Sequence, residues 1–311
     1  MNVLLTAIGS FSADCVVKTL KAQGHYVVGC DIYPAEWHAV SKDLDKVYRV
    51  PLATHEEEYI SFLRHICQQE RISHLNPLTD LEIDVINRNR FVFEQMGVVL
   101  CMQSGACLAK ARDKYALTTL FADNERVNVP YSVASEYLTE DFPVPAIAKP
   151  IDGRSSEGLM RNVGKDEIKR LIGKSNYIIQ QQLDGSVFTV DFVRDCFGNS
   201  FCVPREELLR TKNGAGTTVC VTPDSVLSET TAYIGEKLGV VGCVNMEFIL
   251  HDGNYYLIDL NPRFSAGVAF SNFVGYDMVT SHFRAINGIE IIPPVTFTKQ
   301  LVCKRYYEEA L

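Results

Sequence analysis

The sequence predicts an α/β fold, and two observations carry this prediction. Residues 1–100 alternate short apolar runs with amphipathic segments, a pattern typical of a doubly wound sheet of parallel strands covered by helices. Residues 242–263 contain two strand-like runs joined by a short polar turn, a pattern typical of an antiparallel hairpin. With 311 residues, the chain is long enough for about two domains.

The first hundred residues give strand and helix signals in turn. A helix with Val16 and Leu20 on its apolar side is expected to end near Gly24. The other elements predicted here are strands at residues 3–7, 26–30, 74–78 and 98–101, and helices at residues 56–71 and 83–91. The loop after the first strand has one glycine, Gly9, where a dinucleotide-binding G-x-G-x-x-G motif needs three. A dehydrogenase with Asp31 as a ribose ligand is therefore disfavoured.

Composition argues against several classes of function. The formal net charge is -8, which disfavours a nucleic-acid-binding surface, and no apolar run approaches the ~20 residues that span a bilayer. The ten cysteines include no C-x-x-C pair, and the N-terminal apolar run lacks a basic flank. We therefore expect reduced cysteines and a cytoplasmic location. No G-x-S-x-G or other nucleophile motif occurs.

A second region begins near residue 104 and contains two lysines and a flexible loop. Lys114 lies in a predicted helix at residues 109–122, where a lone lysine is most often solvated. Lys149 ends a later strand and is held extended by the proline that follows it. The small residues of the next loop, at 152–158, can turn their backbone amides toward an anion. Such a loop is more often a plain hairpin connection, but the preceding lysine favours phosphate binding.

The remaining signals are strands, two helices and a second loop. A helix at residues 228–238 is capped by Gly239, and a last helix ends at Gly288. The second mobile loop is predicted at residues 213–218. The strands are predicted at residues 131–134, 144–150, 176–183, 188–194, 202–210 and 295–302.

The hairpin at residues 242–263 has polar side chains at alternate positions of both strands. Asn245 and Glu247 alternate with apolar residues in the first strand, as do Asp259 and Asn261 in the second. Period-two alternation places each pair on one face of its strand. Two carboxylates and two amides offer the hard oxygen ligands that suit magnesium. An ordinary hairpin with a wet polar face fits this stretch equally well.

The length of the turn decides whether the two carboxylates share a face. A two-residue turn would place them on opposite faces of the hairpin. A three-residue turn at 252–254, with a glycine bulge, would pair Glu247 with Asp259 and Asn245 with Asn261. We predict an odd-numbered loop.

Taken in order, these motifs resemble the ATP-grasp superfamily, and within it the branch similar to the large subunit of carbamoyl-phosphate synthase. The resemblance rests on the two lysines, the loop and a glutamine-rich strand, followed by G-x-x-x-T-V-D at residues 185–191. Its most specific part is I-D-L-N-P-R-F-S at residues 258–265, after Glu247. The resemblance covers nearly the whole chain.

The resemblance implies a Rossmann-like domain before the ATP-grasp domain, whose two α+β lobes clamp ATP between them. The expected units are a pre-ATP-grasp domain at residues 1–103 and an ATP-grasp domain at residues 104–311, with lobes at 104–180 and 181–290 and a tail strand at 291–311.

Roles also follow from the resemblance, by motif position. The loop at residues 153–158 would be the lid over the phosphates. The implied nucleotide ligands are Lys114, Lys149, Gly153, Ser155, Ser156, Gly158, Gln181, Gln182 and Leu183. The implied metal ligands are Glu247, Asp259 and Asn261. The implied catalytic residues are Arg263, beside the transferring phosphoryl group, and Arg205, near a second arginine of the family.

Two positions depart from the family pattern. The usual second metal ligand is glutamate, whereas Asp259 is one methylene shorter, which puts bidentate bridging of two metals in doubt. The glutamate that commonly holds the ribose is replaced by Val187. Asp184 is then the candidate ribose ligand, while Asp191 is expected to lie further along the strand.

The function expected from this resemblance is a carboxylate–amine ligase that uses ATP and magnesium, with manganese as the alternative metal. It would activate an amino acid or another small acid as an acyl phosphate for attack by an amine. Two other readings stay open: a single-unit carbamoylating or amidating enzyme, and a regulatory protein that binds nucleotide without catalysis. Arg154, Arg210 and Arg263 are candidate clamps for a substrate carboxylate. The expected partners are small molecules, and a homodimer is a further expectation.

Overall fold

The computed structural model of the protein describes residues 1–153, 157–212 and 214–303. Its N-terminal part is a five-stranded parallel sheet of order β3-β2-β1-β4-β5. The strands are Asn2–Thr6 (β1), Tyr26–Asp31 (β2), Lys46–Arg49 (β3), His74–Asn76 (β4) and Val99–Leu100 (β5). The helices are Ala13–Ala22 (α1), Glu56–Gln69 (α2), Asp80–Arg88 (α3) and Arg90–Glu94 (α4), with 3-10 turns at Ala35–Trp37 and Ala39–Asp43. The predicted α/β fold is confirmed.

Apolar side chains pack against both faces of this sheet, as a parallel sheet requires. Val3 and Leu5 of β1 pack in one cluster, which also contains apolar residues of the C-terminal part of the chain. Leu4, on the opposite face, packs in a second cluster with apolar residues of α2 and α3. The sequence missed β3, whose residues are all at least partly exposed and give no apolar run. One predicted helix also breaks at Asn89 into α3 and α4.

The middle of the chain forms a small antiparallel sheet of order β6-β9-β7-β8. Its strands are Ser132–Ala134 (β6), Ala146–Pro150 (β7), Met160–Val163 (β8) and Tyr177–Gln181 (β9). The helices are Gly105–Ala111 (α5), Lys114–Phe121 (α6) and Lys165–Leu171 (α7), with a 3-10 turn at Ser135–Tyr137. The single predicted helix at residues 109–122 is therefore two helices, and Asp113 caps the second through the backbone N–H of Ala116.

The C-terminal part is a six-stranded antiparallel sheet of order β14-β13-β10-β11-β12-β15. Its strands are Ser186–Arg194 (β10), Ser200–Arg210 (β11), Gly216–Val221 (β12), Gly242–His251 (β13), Asn254–Asn261 (β14) and Gln300–Cys303 (β15). The helices are Ser225–Leu238 (α8), Phe270–Phe273 (α9) and Met278–Ile286 (α10). Gly239 ends α8 in the left-handed conformation, as predicted.

None of the helices within the described part of the chain is long and apolar enough to cross a membrane.

Candidate active site

The hairpin of β13 and β14 places four polar residues side by side. Asn245 lies opposite Asn261, and Glu247 lies opposite Asp259. Residues that lie directly opposite each other in an antiparallel pair point to the same face, so the two carboxylates and two amides share one face of the sheet. The predicted pairing is confirmed.

The turn that produces this register is not the predicted one. Asp252 and Gly253 form a two-residue turn with φ values of +47° and +77°, which suit a type I′ hairpin. The extra residue lies in β14 instead, because the pairing shifts by one position between Glu247 and Phe248 and leaves Ile258 unpaired. The odd-numbered loop is therefore wrong, and a β-bulge brings the two carboxylates to one face.

Two lysines from the small-sheet part of the chain reach this bulge. Lys114, the first residue of α6, donates to Asp259 Oδ1 at 2.9 Å, and Lys149, in β7, donates to the Ile258 carbonyl at 2.9 Å. Burial lowers the pKa of Lys149 to about 8, although the charge of Asp259 acts in the opposite direction. Burial opposes ionisation of Asp259 too, but both lysine charges outweigh it and keep the pKa of that carboxyl below its usual range. The site is a compact array of opposite charges.

Glu247 is held by an arginine that the sequence assigned only as a candidate substrate clamp. Arg210, at the end of β11, donates to Glu247 Oε2 at 3.0 Å. The same guanidinium donates from Nε to the carbonyl of Gly214 at 2.8 Å. Arg210 therefore connects Glu247 to the loop that precedes β12.

The carboxylate and amide oxygens on this face are suitable ligands for a hard divalent cation. Asn261 Nδ2 donates to Asn245 Oδ1 at 3.4 Å, which orients the amides beside Glu247 and Asp259. Among residues 1–153, 157–212 and 214–303, no three His, Cys, Asp or Glu side chains form a metal-binding group. Two carboxylates and an amide still fit magnesium, which usually takes one or two protein carboxylates and completes its shell with phosphate oxygens and water.

The structure places Arg205, one of the two arginines assigned to catalysis, in a buried ionic cluster. Its side chain is 1% exposed and donates to Asp191 Oδ2 at 2.7 Å and to Ser265 Oγ at 3.0 Å. Glu207 lies 3.3 Å from its Nε, and burial raises the pKa of that carboxyl. Because Asp191 of β10 and Glu207 of β11 flank its buried guanidinium, Arg205 is better suited to holding these two strands together than to binding a reacting group.

Replacing Arg205 with alanine is expected to lower the free energy of unfolding by about 3–5 kcal/mol, because Asp191 and Glu207 would remain buried without their cation. A denaturant titration, monitored by circular dichroism, measures this loss of unfolding free energy. Arg194→Ala is the matched control, since Arg194 is half-buried and its hydrogen bonds go to the carbonyls of Asp195 and Val240. We expect less than about 1.5 kcal/mol for it. Equal losses in the two variants would contradict the structural role of Arg205.

A cleft of about 560 Å³ runs over this face, within the range usual for small-molecule sites. Ten of the assigned residues line it: Lys114, Lys149, Gly153, Gln181, Leu183, Arg205, Glu247, Asp259, Asn261 and Arg263. Gln182 and Gly158 do not, and the Gln182 side chain instead bonds Asn162 of β8. Ser155 and Ser156 lie outside the described residues. Val187 lines the cleft, whereas the candidate ribose ligand Asp184 does not.

The N-terminal sheet also contributes to the cleft, which the sequence reasoning missed. The loop after β1, at residues 9–12, and the segment after β4, at residues 78–81, line its far end. Arg263 lies between them and the hairpin, with its guanidinium 2.7 Å from Asp80 Oδ2 and 3.2 Å from Asn261 Oδ1. Both segments follow the carboxyl ends of parallel strands, where α/β sheets bind ligands, and that rule could have pointed to them.

Comparison with protein families agrees with this arrangement. A model of the ATP-grasp domain matches residues 111–267, and a model of the PylC-like N-terminal domain matches residues 3–101. The chain belongs to the ATP-grasp family. The resemblance drawn from the lysines and the Asp-Leu-Asn-Pro-Arg run is confirmed, and so is the enzyme class at the level of the family.

The curated relatives of this ATP-grasp protein include large chains of carbamoyl phosphate synthase. The large chain from Thermoplasma acidophilum is 25% identical over 92% of this chain and 30% of its own length. The one from Agathobacter rectalis is 30% identical over 53% of this chain and 17% of its own length. The chain thus spans less than a third of the length of these relatives.

Solved structures share the fold at low sequence identity. Biotin carboxylase from Campylobacter jejuni superposes with a TM-score of 0.77 at 16% identity, covering 94% of this chain and 72% of the other. The L-amino acid ligase from Bacillus licheniformis superposes with a TM-score of 0.72 at 14% identity, covering 93% and 75%. The biotin carboxylase domain of Hydrogenobacter thermophilus 2-oxoglutarate carboxylase is a dimer in complex with MgADP, and its TM-score is 0.77 at 15% identity over 94% and 71%.

Proposed function

We propose that this ATP-grasp chain is an ATP- and magnesium-dependent carboxylate–amine ligase that acts through an acyl phosphate on an amino acid or another small acid. The observation that supports it most is the cross-strand pair of Glu247 and Asp259 facing Lys114 and Lys149 in one cleft. Paired carboxylates next to two lysines suit a metal–polyphosphate complex better than either component alone.

This geometry supports the ligand roles that the family resemblance implies. Glu247, Asp259 and Asn261 would hold magnesium, which when bound neutralises phosphate charge and fixes the phosphate oxygens in place. Lys114 and Lys149 would donate to phosphate oxygens as point charges. Gln181 and Leu183, which the family resemblance assigns to the nucleotide base, line the same cleft.

The first step needs position and charge rather than a protein nucleophile. An oxygen of the substrate carboxylate attacks the γ-phosphorus of ATP, the bond from that phosphorus to the bridging oxygen breaks, and ADP leaves. Arg263, beside the amide of Asn261, would offset charge on the transferring group. The product of this step is an acyl phosphate.

In the second step the amine nitrogen attacks the acyl carbon. The carbon–oxygen bond to phosphate breaks, inorganic phosphate leaves, and the nitrogen loses a proton to solvent. The intermediate is prone to hydrolysis, so the walls of the cleft at residues 9–12, 78–81 and 214–216 would serve to exclude water. The proposal thus assigns residues to the three requirements of this chemistry, which are cations for the phosphates, oxygen ligands for the metal and walls that exclude water.

The test is ADP formation by the purified chain with magnesium-ATP and a panel of amino acids, other small acids and amines. We expect one acid to stimulate ADP release, and one amine to convert that release into a stable amide detectable by mass spectrometry. Binding of ATP without stimulation by any acid would favour the regulatory reading. Amide formation by the Glu247→Ala variant would argue against the assigned metal site.

Carbamoylation or amidation remains the second candidate, because the curated relatives are large chains of carbamoyl phosphate synthase. Bicarbonate and ammonia therefore belong in the same panel. A homodimer and a cytoplasmic location stay predictions.

A further inference from the structure

Asp80, from the N-terminal sheet, forms the principal ionic contact of Arg263. Its Oδ2 accepts from Arg263 Nη2 at 2.7 Å and from Nε at 3.0 Å. The rest of the guanidinium is also engaged, since Nη1 donates to the carbonyl of Phe264 and Nη2 also reaches Asn261 Oδ1. Two N–H groups that converge on one carboxylate oxygen restrict the orientation of the guanidinium as well as its position.

Asp80 is itself buried and lies beside a second arginine. It is 4% exposed and begins α3, where the positive end of the helix dipole favours a carboxylate. Arg112 lies 3.7 Å from its Oδ1 and forks onto Asp84, one turn later in the same helix, at 3.0 and 2.9 Å. Burial acts to lower the pKa of Arg112, but Asp84 and Asp80 outweigh it, so the pKa is raised and the guanidinium keeps its charge.

Arg112 extends the contact toward the phosphate end of the cleft. Its Nη2 lies 3.4 Å from the carbonyl of Asp152, where the predicted phosphate loop begins. The backbone N–H of Lys114 donates to the carbonyl of Ile151 at 3.1 Å. The segment from Arg112 to Lys114 therefore contacts both the base of this loop and the N-terminal sheet.

We propose that Asp80 is a positioning residue, through which the N-terminal domain holds Arg263 in place to contact the γ-phosphate during phosphoryl transfer. This proposal rests on the proposed function for the role of Arg263. It assigns part of the active site to the domain that lies outside the ATP-grasp match at residues 111–267. Without Asp80, the guanidinium would keep its charge and its bonds to Phe264 and Asn261 but lose this ion pair and the bond from Nε, and its orientation would be less restricted.

The test compares Asp80→Asn with Asp84→Asn. Both residues lie in α3 and face Arg112, but only Asp80 bonds Arg263. Isothermal titration measures the affinity of each variant for a magnesium-bound non-hydrolysable ATP analogue and for magnesium-ADP. The readout is the affinity for the ATP analogue divided by the affinity for ADP. We expect Arg263→Lys and Asp80→Asn to lower this ratio about 10-fold, and Asp84→Asn to change it less than about 2-fold. In Arg263→Lys, adding Asp80→Asn should lower the ratio little further, because both changes remove the same contact.

Three results would overturn the proposal: a wild-type ratio in Asp80→Asn, equal losses in Asp80→Asn and Asp84→Asn, or additive losses in the double variant. If Asp80→Asn does not fold, Asp80→Glu keeps the charge and still displaces Arg263 by one methylene, so the ratio should again fall. The wild-type protein could bind both nucleotides and still form no product with the panel. That result would contradict the proposed function but not the role of Asp80, which the affinity ratio would still decide.

Discussion

The Glu247→Ala variant is expected to lose at least about 100-fold in ATP turnover while keeping its fold, because Glu247 is one of the two paired hairpin carboxylates that we assign to the metal. ADP formation with the best acid from the panel measures the loss, and circular dichroism measures the fold. Glu247 is partly exposed and pairs with Arg210, so its removal leaves a cation that water can reach. The stability cost should therefore be small.

Glu206→Ala is the control for this variant. Glu206 is the cross-strand partner of Phe188 in the same sheet, and it does not line the cleft. Near-normal turnover is expected for it. Wild-type turnover in Glu247→Ala would refute the metal assignment, and a matched loss in Glu206→Ala would show that the assay reports damage to the sheet.

The Lys149→Ala variant is expected to bind magnesium-ATP about 100-fold more weakly, because it removes a partly buried cation that lines the cleft. The pH dependence gives a second measurement on the wild type. The pKa of Lys149 is lowered to about 8, so the lysine is charged below that pH and neutral above it. A phosphate prefers the charged form, so affinity should fall as pH rises through about 8, and binding near that pH should take up a proton.

Titration calorimetry in buffers of different ionisation enthalpy measures this proton uptake. Lys149→Arg should retain affinity at high pH, because a guanidinium stays charged there. Lys110→Ala serves as the control, because Lys110 is an exposed lysine of α5. A pH-independent affinity in the wild type, or tight binding by Lys149→Ala, would remove Lys149 from the phosphate site.

Local sequence patterns predicted much of the fold, because they act over a few residues. Alternating apolar runs and amphipathic segments gave the parallel N-terminal sheet, although β3 was missed because its residues are partly exposed. Period-two alternation also gave the shared face of Asn245 and Glu247, and of Asp259 and Asn261. The order of lysines, loop and hairpin was sufficient to identify the family.

Local sequence patterns did not predict the β-bulge that sets the hairpin register. A type I′ turn at Asp252 and Gly253 alone would have separated the carboxylates, and the β-bulge at Ile258 restored them to one face. A bulge is selected by what surrounds the strand, and here the freed carbonyl of Ile258 receives Lys149 from another sheet. Sequence spacing predicted the correct pairing for the wrong reason.

The roles of the arginines also depended on the tertiary structure. Arg205 and Arg263 look alike in sequence and both line the cleft, but the first is 1% exposed between Asp191 and Glu207, while the second is 19% exposed beside Asp80. The partner of Arg263 is Asp80, 183 positions away at the start of α3. The sequence by itself determined which residue types lie on each strand face, since that depends on backbone periodicity. Only the tertiary structure decided which charges meet, because ion pairs between distant segments depend on how the sheets pack against each other.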